Sequence, residues 1–238
     1  MPGELTRAAI AAQPEWLARL EVDLRLPGGD VLFTGCGTSF HAAMTGGSSV
    51  QALELVLAPH TFSADLLVLV SHEGETPMTL EAARAFDGEK WCVTGAPEAP
   101  IPALCQQVVV ATPELEQSYC HTASYTCAVA AIAALRGADV GWLPEAVADA
   151  LRHPFPVSEH ERWIVAGAGR DRATAEEAVL KLREGAFVAA EAHHTEQLLH
   201  GYLAAVDESV RAFVLEGEGR GWSGRATRSP RCTSSAAT

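Results

Sequence analysis

The sequence predicts an α/β fold, an open and mostly parallel sheet with helices packed on its faces. Short apolar runs rich in β-formers alternate with helical segments along most of the chain, which is the pattern of a parallel sheet. The run Leu66–Val70 is apolar throughout, as expected of a strand buried on both faces. The alternation restarts near Trp163, which indicates one complete domain and part of a second.

The predicted strands are short and most end at a glycine or a polar loop. They are Asp30–Thr34, Leu66–Val70, Lys90–Thr94, Gln107–Ala111, Trp163–Ala166 and Arg211–Leu215. The predicted helices lie between them. They are Glu4–Leu24 with an interruption at Pro14, Ser39–Leu57, Pro77–Phe86, Ser118–Arg136, a short helix within Val140–Pro156, and Thr174–Glu191.

These elements divide the chain into four parts. We expect a helical arm over 1–28, a first domain over 29–155 and a partial second domain over 156–216. Residues 217–238 are rich in Gly, Ser, Arg and Thr and have no hydrophobic period, so we expect a disordered or aberrant tail.

Composition excludes several classes of protein. The net charge is −13, from 17 Lys and Arg against 30 Asp and Glu, so a nucleic-acid-binding face is not expected. No apolar run approaches the ~18 residues that cross a bilayer. The six cysteines form no CxxC pair, which favours reduced thiols in the cytoplasm. The N-terminus lacks the apolar core of a signal peptide.

Three polar loops follow predicted strands, where open α/β sheets bind ligands. They are Gly35–Ser39, Ser71–Thr76 and Tyr119–Thr122. The first two place hydroxyls and glycines before a helix, which suits an anion but equally suits a tight turn with an ordinary helix cap. In the third loop, Cys120 is adjacent to His121, so Cys120 could be a thiol nucleophile activated by the histidine. Against this, neighbouring residues on a helix point in different directions.

Four segments carry a family resemblance. VLFTGCGTSFHAA, LVLVSHEGET, VLKLREGAFVAAEA and EQLLHGYLAAVD resemble, in order and spacing, four motifs of the isomerase half of glucosamine-6-phosphate synthase and of related sugar isomerase (SIS) domains. The resemblance runs from about Ala8 to Leu215. It implies a flavodoxin-like, doubly wound fold and a cytoplasmic enzyme that works as a homodimer without a cofactor or metal. That enzyme would be a phosphosugar isomerase, or a deaminase or deglycase that acts on a (phospho)amino sugar.

The same resemblance implies roles for individual residues. Glu184 matches the carboxylate that moves a proton between C1 and C2, and His200 matches a histidine that opens the sugar ring across a dimer interface. The remaining matches are binding residues. Ser39, Ser71, His72 and Thr76 match the grip on the sugar phosphate, and Cys36, Gly37 and Thr38 border the sugar.

These residue types suit the chemistry, and each has a plainer alternative. A carboxylate can take and return one proton, and imidazole is an acid and base near neutral pH. However, Glu184 could instead be a solvated helix residue paired with Lys181, and His200 could cap a helix before Gly201. If their segment is helical, His193, Glu196 and His200 would share a face able to bind a metal.

The chain also departs from the family pattern. Glu73 stands where the phosphate loop has a small hydroxyl residue. It could cap the following helix and point away, or the ligand could lack a phosphate there or carry an amine that pairs with Glu73. His121 and Ala123 replace a Ser and a Lys of the third loop. No glutaminase cysteine follows Met1, and 217–238 lack the family's C-terminal lysine, so we expect slow or absent turnover.

Two other functions remain open from the sequence. A non-catalytic regulatory module that binds a sugar phosphate would need the loops but neither Glu184 nor His200. A dinucleotide-binding dehydrogenase could use Gly35 and Gly37 with Glu54 as the acidic residue. That alternative lacks its third glycine, since Phe40 stands there, and Glu54 follows a helical stretch.

Overall fold

A computed structural model describes residues 3–153 and 160–215. Its larger sheet has five parallel strands in the order β2-β1-β3-β4-β5, which is a flavodoxin-like order. The strands are β1 (Val31–Gly35), β2 (Ser49–Gln51), β3 (Leu66–Val70), β4 (Glu89–Thr94) and β5 (Gln107–Val110).

Helices cover both faces of this sheet, which accounts for the apolar run of its central strand. All five residues of β3 are buried, with alternate side chains in two separate cores. One core contains residues of α2 and α5, and the other contains residues of α3 and α4. The helices are α1 (Glu4–Ala18), α2 (Thr38–Met44), α3 (Ala52–Leu57), α4 (Pro77–Ala85) and α5 (Thr122–Leu135).

A smaller parallel sheet follows α6 (Leu143–Leu151) and has the strand order β7-β6-β8. Val165 packs with Ala175 and Val179 on one face, and Ile164 packs with Leu198 on the other. The elements are β6 (Arg162–Gly167), α7 (Asp171–Ala186), β7 (Ala189–His194), α8 (Thr195–Leu199) and β8 (Val210–Val214). Short 3-10 turns lie at Pro59–Thr61, Pro102–Leu104 and Tyr202–Ala205.

The N-terminal helix differs from the prediction. It ends at Ala18 rather than at Leu24, and Pro14 lies inside it without interrupting it. Proline has no N–H to donate to the carbonyl four residues back. The side-chain amide of Gln13 donates to that carbonyl, on Ile10, at 3.1 Å. The apolar residues beyond Ala18 pack against the sheet instead of extending the helix.

Two predicted helices are also wrong in extent. The predicted helix Ser39–Leu57 is two helices, α2 and α3, separated by the short strand β2. The first of them ends because Gly46 and Gly47 follow it. A Cβ on Gly46 would lie 2.6 Å from the Phe33 ring, and Gly47 has φ +127°. The predicted helix Thr174–Glu191 ends at Ala186, where Phe187 turns left-handed at φ 55° and β7 follows.

The fold otherwise follows the prediction of parallel sheets flanked by helices. The predicted tail over 217–238 lies outside the described residues. Within them, no helix is long and apolar enough to cross a membrane. Cys36, Cys92, Cys105, Cys120 and Cys127 carry free thiols.

Candidate functional site

A cavity of about 220 Å³ lies at the carboxyl ends of β1, β3 and β4. The chain order of the sheet reverses between β1 and β3, where open α/β sheets bind ligands. The cavity is lined by Cys36, Gly37, Thr38, Ser39, Ala42, Val70, His72, Glu73, Thr76, Val93, Thr94, Ala111, His121, Ser124, Tyr125, Ala128, Leu180 and Glu184.

The loop after β1 is compact because two glycines permit it. A Cβ on Gly35 would lie 2.9 Å from the Val70 carbonyl oxygen, so this position requires close backbone approach. Gly37 has φ +54° and precedes the first turn of α2. The backbone N–H of Ser39 donates to the Cys36 carbonyl at 3.1 Å. The turn thereby places residues 36–39 along the wall of the cavity.

The loop after β3 is closed by its own hydroxyls. Ser71 Oγ and Thr76 Oγ1 lie 3.2 Å apart, within hydrogen-bonding distance of each other. Ser71 is almost fully buried and is the one predicted binding residue of this loop that does not line the cavity. Gly74 makes the reversal possible, since φ is +68° and a Cβ there would lie 2.6 Å from Ala99 Cβ. Thr76 then precedes α4.

His72 is fixed as a neutral ring. Its Nε2 accepts a hydrogen bond from the Glu116 backbone N–H at 2.9 Å, which requires an unprotonated nitrogen. Burial, and then the neighbouring His121 ring, lower the pKa of His72 to about 4. The two rings meet edge to face with centroids 5.6 Å apart. His72 therefore brings a hydrogen-bonding ring but no positive charge to the cavity near neutral pH.

The helix after the third loop begins against a carboxylate of the protein itself, that of Glu116. The buried Glu116 carboxylate accepts hydrogen bonds at 2.7 Å from the backbone N–H of Thr122 and from that of Ser124, in the first turn of α5. A carboxylate at this position satisfies the helix's unpaired amides and its dipole. Cys120 is buried and does not line the cavity, which is a poor setting for a nucleophile.

Two polar atoms in this region lack a partner. Ser124 Oγ and His121 Nδ1 are buried atoms without a hydrogen bond in the part of the chain that the structure describes, and both residues line the cavity. Buried polar atoms are normally satisfied, so these two can bind a ligand that enters the cavity. His121 adopts φ 48° immediately before α5.

One face of α7 carries a charged network that reaches α2. Lys181 Nζ lies 2.7 Å from Glu184 Oε2 and 3.2 Å from Glu177 Oε1. It also donates to Thr38 Oγ1 at 3.0 Å and to the Cys120 carbonyl. Glu177 is buried, and its Oε2 lies 2.7 Å from His41 Nδ1. The network holds Glu184 at the cavity and ties α7 to the larger sheet.

His200 lies outside the cavity. It follows the last turn of α8, its side chain is 79% exposed, and its Nε2 lies 3.2 Å from Glu196 Oε2. His193 belongs to the strand β7, so the predicted shared helix face of His193, Glu196 and His200 does not exist. Within 3–153 and 160–215, no group of three His, Cys, Asp or Glu residues could hold a metal ion.

Comparison of the sequence with characterised proteins finds relatives of this chain. No family model matches the chain. An isomerizing glutamine–fructose-6-phosphate aminotransferase of Aeropyrum pernix is 27% identical over 228 residues, which cover 79% of this chain and 37% of that protein. The corresponding enzyme of Gloeobacter violaceus is 25% identical over 231 residues, with 80% and 38% covered. The chain is homologous to the isomerase (SIS) part of these aminotransferases.

The chain spans a little over a third of the length of the curated relatives that it matches. Solved structures share its fold. A glucosamine-6-phosphate deaminase of Thermotoga maritima superposes with a TM-score of 0.76 at 20% identity, covering 91% of this chain and 78% of that one. A tagatose-6-phosphate ketose/aldose isomerase of Escherichia coli gives 0.73 at 18% identity, covering 89% and 72%.

The predicted site residues account for eight of the eighteen residues that line the cavity. Eight of the ten predicted site residues line the cavity, and Ser71 and His200 do not. Glu177 was missed, although Glu177, Lys181 and Glu184 are spaced i, i+4 and i+7, which places them on one helix face. No sequence motif marked Ser124 and Tyr125 as site residues, because they lie in a helix of mostly small residues.

Proposed function

We propose that this chain is a SIS-type sugar enzyme that moves a proton between adjacent carbons of a hexose or hexosamine, in aldose–ketose isomerisation or in deamination. The observation that carries the proposal is the position of Glu184. Its carboxylate lines the sugar-sized cavity and is held there by Lys181 at 2.7 Å. A carboxylate fixed beside C1 and C2 can take a proton from one carbon and return it to the other.

The surrounding residues suit a sugar. Thr38, Ser39, Thr76 and Ser124 place hydroxyls around the cavity, and hydroxyl groups both donate and accept hydrogen bonds as sugar hydroxyls do. Val70, Val93 and Ala111 supply an apolar wall. The relatives named above are named for reactions of sugar phosphates, which supports a sugar as the substrate here.

We also propose that His200 completes the site from a second copy of the chain. In its own subunit the imidazole is exposed and lies outside the cavity, so it cannot reach a sugar bound beside Glu184. A homodimer would bring it to the partner's cavity, where an imidazole can act as acid and base in opening a sugar ring. Exposed Leu199, Tyr202 and Leu203 around it offer apolar surface for such a contact.

Product formation tests the proposal. The chain would be incubated for long periods with fructose 6-phosphate, glucosamine 6-phosphate and glucosamine, and NMR would follow isomer or ammonium formation. We expect one of these sugars to be converted and Glu184→Gln to slow conversion about 100-fold or more. The matched control is Glu176→Gln, on the same helix but outside the cavity. Binding without conversion by the unaltered chain would instead favour a non-catalytic sugar-binding module.

A further inference from the structure

We propose that the cavity takes an amine-bearing monosaccharide without a phosphate, with the ammonium group of the sugar beside Glu73. The inference rests on the proposed function and narrows its substrate class. It begins with the charges around the cavity, where Glu73 and Glu184 contribute carboxylates and no lining residue that the structure describes is Lys or Arg.

Glu73 is free to pair with a ligand. Its carboxylate makes no hydrogen bond or ion pair with any residue in the described ranges, and it lines the cavity from the loop between Ser71 and Thr76. A sugar phosphate carries between one and two negative charges near neutral pH, so its placement here would oppose two like charges at short range. An ammonium group would find an opposite charge instead.

No Lys or Arg in the described site is free to offset this repulsion. Lys181, the nearest such cation to Glu184, is bound between Glu177 and Glu184. His72 is held uncharged because its Nε2 accepts the Glu116 N–H, and the first amides of α5 bond to the Glu116 carboxylate. A phosphate beside Glu73 would therefore meet no unpaired Lys or Arg in the described site.

The rest of the cavity suits the sugar portion of such a ligand. Ser124 is 4% exposed, and its unpartnered Oγ can donate to or accept from a sugar hydroxyl, as the unpartnered His121 Nδ1 can. The volume of about 220 Å³ is below the ~300–1,000 Å³ of pockets for larger ligands, which limits the occupant to the size of a monosaccharide.

Calorimetric titration tests the inference at about pH 6.5, where carboxylates are ionised and amines protonated. The sugars are glucosamine, 6-amino-6-deoxyglucose, glucose and glucosamine 6-phosphate. We expect one of the two phosphate-free amino sugars to bind about fivefold or more tightly than glucose, and glucosamine 6-phosphate to bind more weakly than glucosamine. Glucose is the matched neutral control for the amine.

Variants of Glu73 assign the preference to this side chain. Glu73→Gln removes the charge and should abolish the preference for the amine, whereas Glu73→Ser should strengthen binding of glucosamine 6-phosphate by roughly tenfold. Glu81→Gln, at an exposed position of α4, is the control. Because Glu73 has no partner to lose, all three variants should keep the thermal stability of the parent chain.

Each remaining outcome has a distinct meaning. If the unaltered chain binds glucosamine 6-phosphate more tightly than glucosamine, the inference about Glu73 is overturned while the proposed function stands. The same holds if the amine preference survives in Glu73→Gln. If none of the four sugars binds, the inference is overturned, whereas the proposed function is decided separately by the conversion assay, which also includes fructose 6-phosphate.

Discussion

At the scale of single residues, burial and hydrogen bonding decide what each polar group can do. His72 and Glu73 are adjacent in sequence and both border the cavity, yet one is a neutral ring and the other a free carboxylate. The difference comes first from the burial of His72, which lowers its pKa, and the Glu116 backbone N–H also requires a lone pair on the His72 ring. Motif matching placed both residues in one loop but gave no information on their charge.

The low pKa of His72 predicts a specific pH dependence of stability. The unfolded histidine titrates near its ordinary value of 6.5 and the folded one near 4, so the unfolded state binds more protons between them. Stability is therefore present above pH 6.5 and is lost as the pH falls towards 4. Between pH 7 and 5, we expect His72 to reduce the free energy of unfolding by about 2 kcal/mol.

Urea unfolding at the two pH values measures this effect. His72→Gln keeps an acceptor for the Glu116 N–H but cannot titrate, so its stability should fall by about 2 kcal/mol less than that of the parent chain. Other groups titrate equally in both proteins and cancel in the comparison. An equal loss of stability in the two would show that His72 does not carry the effect.

At the scale of elements, α7 joins the two sheets through charged side chains as well as through its apolar face. Val179 faces the smaller sheet, whereas Glu177 and Lys181 bond to residues of α2 at the larger one. An apolar face towards the smaller sheet and a charged face towards α2 thus lie on the same helix. The sequence predicts this helix correctly over 174–186, because its apolar and charged residues recur at helical spacing, but misses its first three residues from Asp171.

Removal of one charge from this network should be costly. Lys181→Met leaves the buried Glu177 carboxylate without its cation, and loss of one member of a buried pair costs about 3 kcal/mol. The free energy of unfolding in urea gives the comparison. Arg152→Met is the matched control, since Arg152 and Asp149 form an exposed pair, and it should change stability by less than about 0.5 kcal/mol. Equal stability of both variants would contradict the structural role of Lys181.

The boundaries that the sequence missed share a physical cause. Apolar periodicity marks where a helix could continue, but backbone geometry decides where it stops. Gly46 must pass the Phe33 ring, a contact between residues distant in sequence. Phe187 ends α7 in a left-handed conformation that no local motif predicts for a phenylalanine. Six of the eight strands in the described residues were predicted to within one residue at each end, because buried strands carry continuous apolar runs. The strands β2 and β7 were not predicted and lie wholly or partly within predicted helices.

At the scale of the whole molecule, the candidate site draws on both sheets. The loops after β1 and β3 supply the binding groups, and α7 from the smaller sheet supplies Glu184. The order of the strands follows from their alternation with helices, whereas the approach of α7 to α2 depends on the buried network at Glu177. The cavity therefore could not be derived from any one segment, although the predicted site residues account for eight of its eighteen lining residues.

The proposed proton transfer on the sugar, with Glu184 and His200 supplied by two copies of the chain, is tested most directly by deuterium uptake. In deuterium oxide, NMR follows the loss of the C1–H or C2–H signal of a bound sugar, which detects even slow turnover. The chain should exchange this hydrogen, and Glu184→Gln and His200→Ala should each lose exchange about 100-fold or more. An equal mixture of the two variants should recover about a quarter of the parent rate, since random pairing restores one intact site in half of the dimers. Exchange by Glu184→Gln alone at the parent rate would contradict the assignment of Glu184 as the base.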